Sequence, residues 1–131
     1  MKTLIAEDDF VSRLLMQEIL KSYGPLFVVV NGKEAVEAVR LALVAKEPFS
    51  LICLDIMMPE LDGQAALMQI RELEKASGIQ DGDGAKVIMT TALDDVKSVG
   101  TAYKHQCDAY LTKPINQDRL FAELRKMGLI P

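Results

Sequence analysis

Four short segments carry the side chains best suited to chemistry: Glu7-Asp8-Asp9, Asp55, Thr90-Thr91 and Lys113-Pro114. Each stands at the end of an apolar run. Asp55 follows Leu51-Ile52-Cys53-Leu54, so its carboxylate emerges from a hydrophobic segment and needs a partner. Carboxylates gathered on neighbouring loops repel one another. At ~5 Å and an effective dielectric of ~20, each like-charge pair costs roughly 3 kcal/mol. A cation relieves that cost, and hard carboxylate oxygens without Cys or His favour Mg²⁺ over zinc. A cation, a lysine and a hydroxyl around a carboxylate can receive a phosphoryl group. The cation and the ammonium neutralise the transferring oxygens, the hydroxyl bonds one of them, and the carboxylate is the nucleophile. Taken singly, each segment has a plainer use. Asp9 suits a helix N-cap, a Thr after a strand suits a cap or turn, and Lys-Pro suits a turn.

What gathers these segments is a repeated pattern. Five continuous apolar runs recur: Leu4–Ala6, Phe27–Val30, Leu51–Leu54, Val87–Met89 and Ala109–Leu111. Continuous runs of this length suit strands covered on both faces, as in a parallel sheet. Helical periodicity fills the intervals. Val11, Leu14, Leu15 and Ile19 predict one buried face; Val36, Val39 and Leu43 a second; Ala66, Ile70 and Leu73 a third. Val96, Val99 and Tyr103 predict a fourth helix, capped by Asp94 or Asp95 and weakened by Gly100. Leu120, Leu124 and Met127 predict a fifth, with Asn116 as cap and Gly128 at its end. The expected fold is a single α/β domain over residues 1–131: a doubly wound (βα)5 unit whose five-stranded parallel sheet carries helices on both faces. A closed eight-unit barrel would need roughly 250 residues. In open sheets of this kind ligands bind beyond the carboxyl ends of the strands, where the chemistry-bearing segments fall.

Composition narrows the function classes. The chain has 131 residues, half of them hydrophobic and 26% charged, with a net charge of −4. That balance supports a core and argues against a basic nucleic-acid footprint or a polybasic membrane anchor. No apolar run approaches the ~18 residues of a membrane span, and acids by position 7 argue against a signal peptide. Cys53 and Cys107 lie within apolar surroundings and read as small buried hydrophobes, which fits a cytoplasmic, reducing location.

The motifs LIAEDD, LICLDIMMPELDG, VIMTTA and DAYLTKPI occur in one order over essentially the whole chain. In this they resemble the receiver domain of two-component response regulators, a flavodoxin-like fold, and most closely its stand-alone, chemotaxis-regulator type. The resemblance implies a switch that takes a phosphoryl group from a sensor histidine kinase onto Asp55 with Mg²⁺. It assigns the metal shell to Glu7, Asp8, Asp55 and the backbone carbonyl of Met57. Counting back from Arg13 favours Glu7 and Asp8, with Asp8 and Asp9 as the alternative pair. Thr91 matches the switch hydroxyl, with Thr90 turned back into the sheet. Tyr110 matches the aromatic rotamer switch, moving from exposed to buried. Lys113 matches the phosphate-binding lysine, and its bond to Pro114 resembles the family's cis peptide. Pro59 and Gly63 fit the following loop and helix start. With no output domain after Pro131, the resemblance implies signalling through contact with a downstream protein or relay to a phosphotransfer protein, with no direct nucleic-acid contact.

Other features offer less. The loop Ser77–Ala85 should lie at the rim opposite the acids, without a catalytic role. Its Asp81-Gly82-Asp83-Gly84 suggests a calcium loop, but Ala85 and Ala92 occupy ligand positions of that motif. His105, the only histidine, reads as a surface loop residue. Met58 and the other methionines read mainly as core, or as neighbours of the site. An aspartyl-phosphate hydrolase would place an acid where Met57 stands, and a flavin carrier would need a Ser/Thr/Gly-rich loop where Glu7-Asp8-Asp9 stands.

Overall fold

The computed structural model describes residues 1–92 and 107–131. The segment predicted as the fourth helix, with Val96, Val99, Gly100 and Tyr103, lies outside the described residues, as do Asp94, Asp95 and His105. The strands are β1 (Thr3–Ala6), β2 (Leu26–Val29), β3 (Leu51–Asp55), β4 (Lys86–Thr91) and β5 (Ala109–Thr112). The helices among the described residues are α1 (Phe10–Leu20), α2 (Gly32–Val44), α3 (Gly63–Ala76) and α4 (Gln117–Lys126), the last being the segment predicted as the fifth helix. All strand pairings are parallel, in the order β2-β1-β3-β4-β5. The order reverses between β1 and β3, so a crevice opens at the carboxyl ends of these two strands.

Two apolar layers sandwich the sheet. On one face Leu4, Ile52, Leu54, Val87 and Met89 pack with Ala35, Val39, Leu67 and Ile70 from α2 and α3. On the other, Ile5, Leu51, Cys53, Ile88 and Leu111 pack with Met16, Ile19, Leu20, Leu120 and Leu124 from α1 and α4. The doubly wound expectation therefore holds for the described elements. β2, at the sheet's edge, is less covered than its continuous apolar run implied, with Phe27 exposed. β4 also runs further than its apolar run, through Thr91, because Thr90 and Thr91 pair with Leu111 and Thr112.

Helix α1 corrects the sequence expectation more sharply. Its buried residues are Met16, Ile19 and Leu20. Val11 is 71% exposed, and Leu14 and Leu15 face solvent with it. Ile19, the one member of the predicted face that is buried, lies about 40° from Leu15 at 100° per residue and so completes either stripe, which leaves periodicity alone unable to choose. The first turn decides. The Ser12 N–H donates to Asp9 Oδ2 at 2.9 Å, and the Arg13 guanidinium donates to the Glu7 carbonyl at 3.1 Å. These bonds fix the helix rotation and leave Val11, Leu14 and Leu15 outside.

Asn31, Asp62 and Asn116 cap the other helices, each accepting from the backbone N–H three residues on. Two glycines then set how closely the β3–α3 loop packs. A Cβ on Gly32 would collide with the Leu61 carbonyl, and one on Gly63 with the Asp55 carbonyl. The Gly63 N–H also donates to the Ile56 carbonyl at 2.9 Å. The loop that leaves Asp55 is thus held by backbone-to-backbone contact. Overpacking at such a position typically costs about 1–3 kcal/mol. Gly63→Ala is expected to lower stability by that amount in urea denaturation; an unchanged midpoint would show that the loop yields freely.

Candidate functional site

Side chains alternate along each strand, and this parity sorts the site residues. Glu7, Asp55 and Lys113 continue the series of Ile5, Cys53 and Leu111, which face α1 and α4. Thr91 and Tyr110 continue the series of Met89, which faces α2 and α3. The sheet therefore delivers the charged groups together at one rim and places the threonine and tyrosine across the sheet from them.

Glu7 and Asp55 are only 4% and 3% exposed, whereas Asp8 projects into solvent. Oxygens of Glu7, Asp8 and Asp55 all lie within 4.8 Å of one another. One cation lies among them: Lys113 Nζ is 2.7 Å from Glu7 Oε1 and 3.0 Å from Asp55 Oδ2. The lysine side chain is itself 20% exposed, so the pair is desolvated on both sides. The other Asp55 oxygen accepts from the Met57 N–H at 3.3 Å, and Glu7 Oε2 accepts from the Asp9 N–H at 3.1 Å.

Burial is the main reason the Asp55 carboxyl is pushed up to about 7, with the Glu7 carboxylate adding to it and Lys113 opposing. For Lys113, burial pulls down, but its bonds to Glu7 and Asp55 outweigh burial and hold the ammonium proton more tightly than usual. Lys113 thus bonds the two buried carboxylates, while the Arg13 guanidinium reaches only the backbone carbonyls of Glu7 and Asp8. The carboxylate donor set, all oxygen and short of positive charge, fits a hard divalent cation. Asp9 stands apart from the cluster. Its carboxylate caps α1, and the Ser12 bonds hold it below the usual carboxylate range.

The remaining expected residues are placed as follows. The Met57 side chain is 61% exposed and takes no part in the cluster. Met58 is buried in the α2–α3 layer. Thr90 is buried and donates to the Leu54 carbonyl at 3.5 Å, as a residue turned into the sheet would. Thr91 is also buried, and its hydroxyl donates to the Ala92 carbonyl at 3.2 Å, so it is held within its own turn. Tyr110 packs against the α2–α3 layer with its hydroxyl shielded from solvent. Its side chain as a whole is only partly buried. The Lys113–Pro114 peptide is cis, as the resemblance implied.

Sequence reasoning missed two features. One is the apolar patch of Phe10, Val11, Leu14 and Leu15 on α1 beside the site, with Met57 also exposed at the rim. The other lies at the opposite rim. Buried Glu74 accepts from Arg71 Nη1 and the Ala85 N–H, both at 2.8 Å, while Asp108 accepts from the Val87 N–H. These bonds anchor the loop Ser77–Ala85, beside a cavity of about 480 Å³ far from the carboxylates. A glutamate on the third helix, spaced from Ile70 like another core residue, was the only signal.

Comparison with known proteins agrees with the geometry. The chain is 32% identical over 126 residues to the chemotaxis protein CheY of Listeria monocytogenes, covering 96% of this chain and 97% of that protein. It is 34% identical over 134 residues to hybrid signal transduction histidine kinase B of Dictyostelium discoideum, covering 98% of this chain but spanning only 7% of that kinase. Among solved structures, the receiver domain of the Arabidopsis thaliana histidine kinase CKI1, complexed with Mg²⁺ and BeF₃⁻, superposes with a TM-score of 0.78 at 28% identity, covering 97% of this chain and 89% of that one. Residues 3–125 match the response regulator receiver domain, and with the acids, threonine and lysine at the strand ends where the motifs put them, this chain belongs to that family.

Proposed function

We propose that the chain, residues 1–131 acting as one receiver domain, is a phosphorylation-dependent signalling switch that accepts a phosphoryl group on Asp55 from a sensor histidine kinase. The observation that carries this reading is the buried Asp55 carboxylate, bonded to Lys113 and crowded by Glu7 and Asp8 at the carboxyl ends of the strands. An Asp55 oxygen attacks phosphorus, the phosphorus–nitrogen bond of the donor's phosphohistidine breaks, and the imidazole leaves with the electron pair. Lys113, already 3.0 Å from Asp55 Oδ2, stays beside the new phosphoryl oxygens and offsets their charge. Glu7, Asp8, Asp55 and the Met57 carbonyl would hold Mg²⁺, which when bound supplies the positive charge that the three carboxylates lack. Thr91 gives up its bond to the Ala92 carbonyl and donates instead to a phosphoryl oxygen. Thr91 and Tyr110 share a face of the sheet, so this exchange couples the site to the surface around Tyr110.

The kinase reading has support in the surface. Phe10, Val11, Leu14 and Leu15 form an exposed apolar stripe on α1 next to the acids, the kind of surface on which a helix of a donor protein docks. Beyond the kinase, the reading calls for a downstream protein or a phosphotransfer protein, reached by contact in the cytoplasm. Among the described residues, no helix is long and apolar enough to cross a membrane. The chain turns over no separate substrate on this reading, since the phosphoryl group ends on its own aspartate.

Three outcomes test it. With Mg²⁺ and acetyl phosphate, intact mass spectrometry should show one added phosphoryl group, lost in Asp55→Asn; undiminished label in that variant would reject the assignment. Thr91→Ala should remain phosphorylatable at Asp55 while the resonances of Ala109–Thr112 respond less to phosphorylation; an undiminished response would break the coupling.

The third outcome concerns pH and metal. Asp55 titrates higher folded than its ordinary 3.8, so the folded state holds a proton that the unfolded state has released. Without metal, stability should therefore fall as pH rises from about 4 to about 7, and Asp55→Asn should flatten that slope. Mg²⁺ at a hundredfold excess over Kd should add about 2.7 kcal/mol at neutral pH. A melting temperature indifferent to Mg²⁺ would count against the site.

A further inference from the structure

Tyr110 ends in a poor environment for a phenol. Its ring packs against the α2–α3 layer, yet its hydroxyl, shielded from solvent, has no hydrogen-bond partner among the described residues. A buried donor left unpaired carries its full desolvation penalty. Among the described residues, the Cys107 thiol is a polar group beside it, packed against the same layer. That thiol is half-buried and in no disulfide. It lies beside the phenol without making a hydrogen bond of normal geometry. Burial raises both groups above their usual ranges, so each keeps its proton and the phenol gains no charged acceptor. A thiol is a weak donor and a weak acceptor, and so meets the needs of a phenol only in small part.

We propose that Cys107 is a positioning residue that sets the balance between buried and outward placements of Tyr110, by offering its hydroxyl a contact too weak to satisfy it. This rests on the proposed function, in which Tyr110 reads the state of Asp55. Ring packing favours the buried placement and the unpaired hydroxyl opposes it, so the two placements are held close in free energy. A small input from Thr91, on the same face of the sheet, then suffices to shift the population. A residue at 107 that bonds the phenol properly would lock it inward and weaken its response to phosphorylation. Serine is the discriminating replacement, with nearly the same shape and a stronger acceptor.

The test incorporates 3-fluorotyrosine and records ¹⁹F spectra with and without Mg²⁺ and beryllofluoride, a phosphoryl mimic. The Tyr110 signal is assigned by its loss in Tyr110→Phe. Without the mimic, Cys107→Ser should raise the buried-to-outward ratio about fivefold, the scale of one restored hydrogen bond. The mimic should then move the Tyr110 signal less than in the wild type and bind more tightly by a similar factor. In the Tyr110→Phe background, Cys107→Ser should change affinity for the mimic less than twofold, because the hydroxyl it acts on is gone. An equal ratio in wild type and Cys107→Ser overturns the proposal, as does an affinity change that persists in full in the Tyr110→Phe background. Failure of the mimic to move Asp55 or Lys113 resonances in the wild type would instead overturn the proposed phosphoacceptor function. The mimic-free ratio would still decide the role of Cys107.

Discussion

The constraint on which this structure turns is a charge imbalance kept out of water. Glu7 and Asp55 are buried at the ends of adjacent strands, Asp8 leans over them, and Lys113 is the cation they share. Removing carboxylates from water is costly, and one ammonium cannot fully offset two buried charges and a third nearby. The folded chain therefore carries a site whose electrostatics improve when more positive charge arrives. Stability is spent locally so that binding has something to relieve.

The rest of the fold serves to hold that arrangement. Parallel strands covered on both faces give the rigid ends from which Asp55 and Lys113 project. The reversal of strand order between β1 and β3 brings Glu7 and Asp8 beside Asp55. The Asp9 cap and the Arg13 bond to the Glu7 carbonyl fix α1 against the same rim. Gly32 and Gly63 allow the loop after Asp55 to lie in backbone contact with two helix starts. Strand parity puts Thr91 and Tyr110 on one face of the sheet, with Thr91 at the end of β4 nearest the acids and Tyr110 further back on β5.

Much of this was legible in the residues because the signals were local. The continuous runs Leu51–Leu54 and Val87–Met89 could hardly be anything but buried strands, and acids and a lysine at run ends marked the rim. The cap Asn116 announced its helix, whereas the caps Asn31 and Asp62 came to light only in the structure. What escaped depended on particular side-chain contacts that apolar periodicity does not encode. Val11, Leu14 and Leu15 obey helical periodicity as well as Met16, Ile19 and Leu20 do, and the Asp9 cap and the Arg13 bond to the Glu7 carbonyl tell the stripes apart. Glu74 reads as one more charge on a polar helix until Arg71 and the Ala85 N–H close around it. The buried hydroxyl of Tyr110 is invisible in a sequence, since burial and pairing there are set by β5 and the layer beneath it.

The central claim is that Glu7, Asp8 and Asp55 form one site, short of positive charge, at the carboxyl rim. Paramagnetic broadening by Mn²⁺, a Mg²⁺ surrogate, tests it most directly in a ¹⁵N-labelled sample. At substoichiometric Mn²⁺, the amide signals of residues 7–9, 55–57 and 113 should broaden first, and excess Mg²⁺ should restore them. Broadening that begins instead at the exposed acids Asp81 and Asp83 of the opposite rim, with residues 55–57 unaffected, would contradict the account.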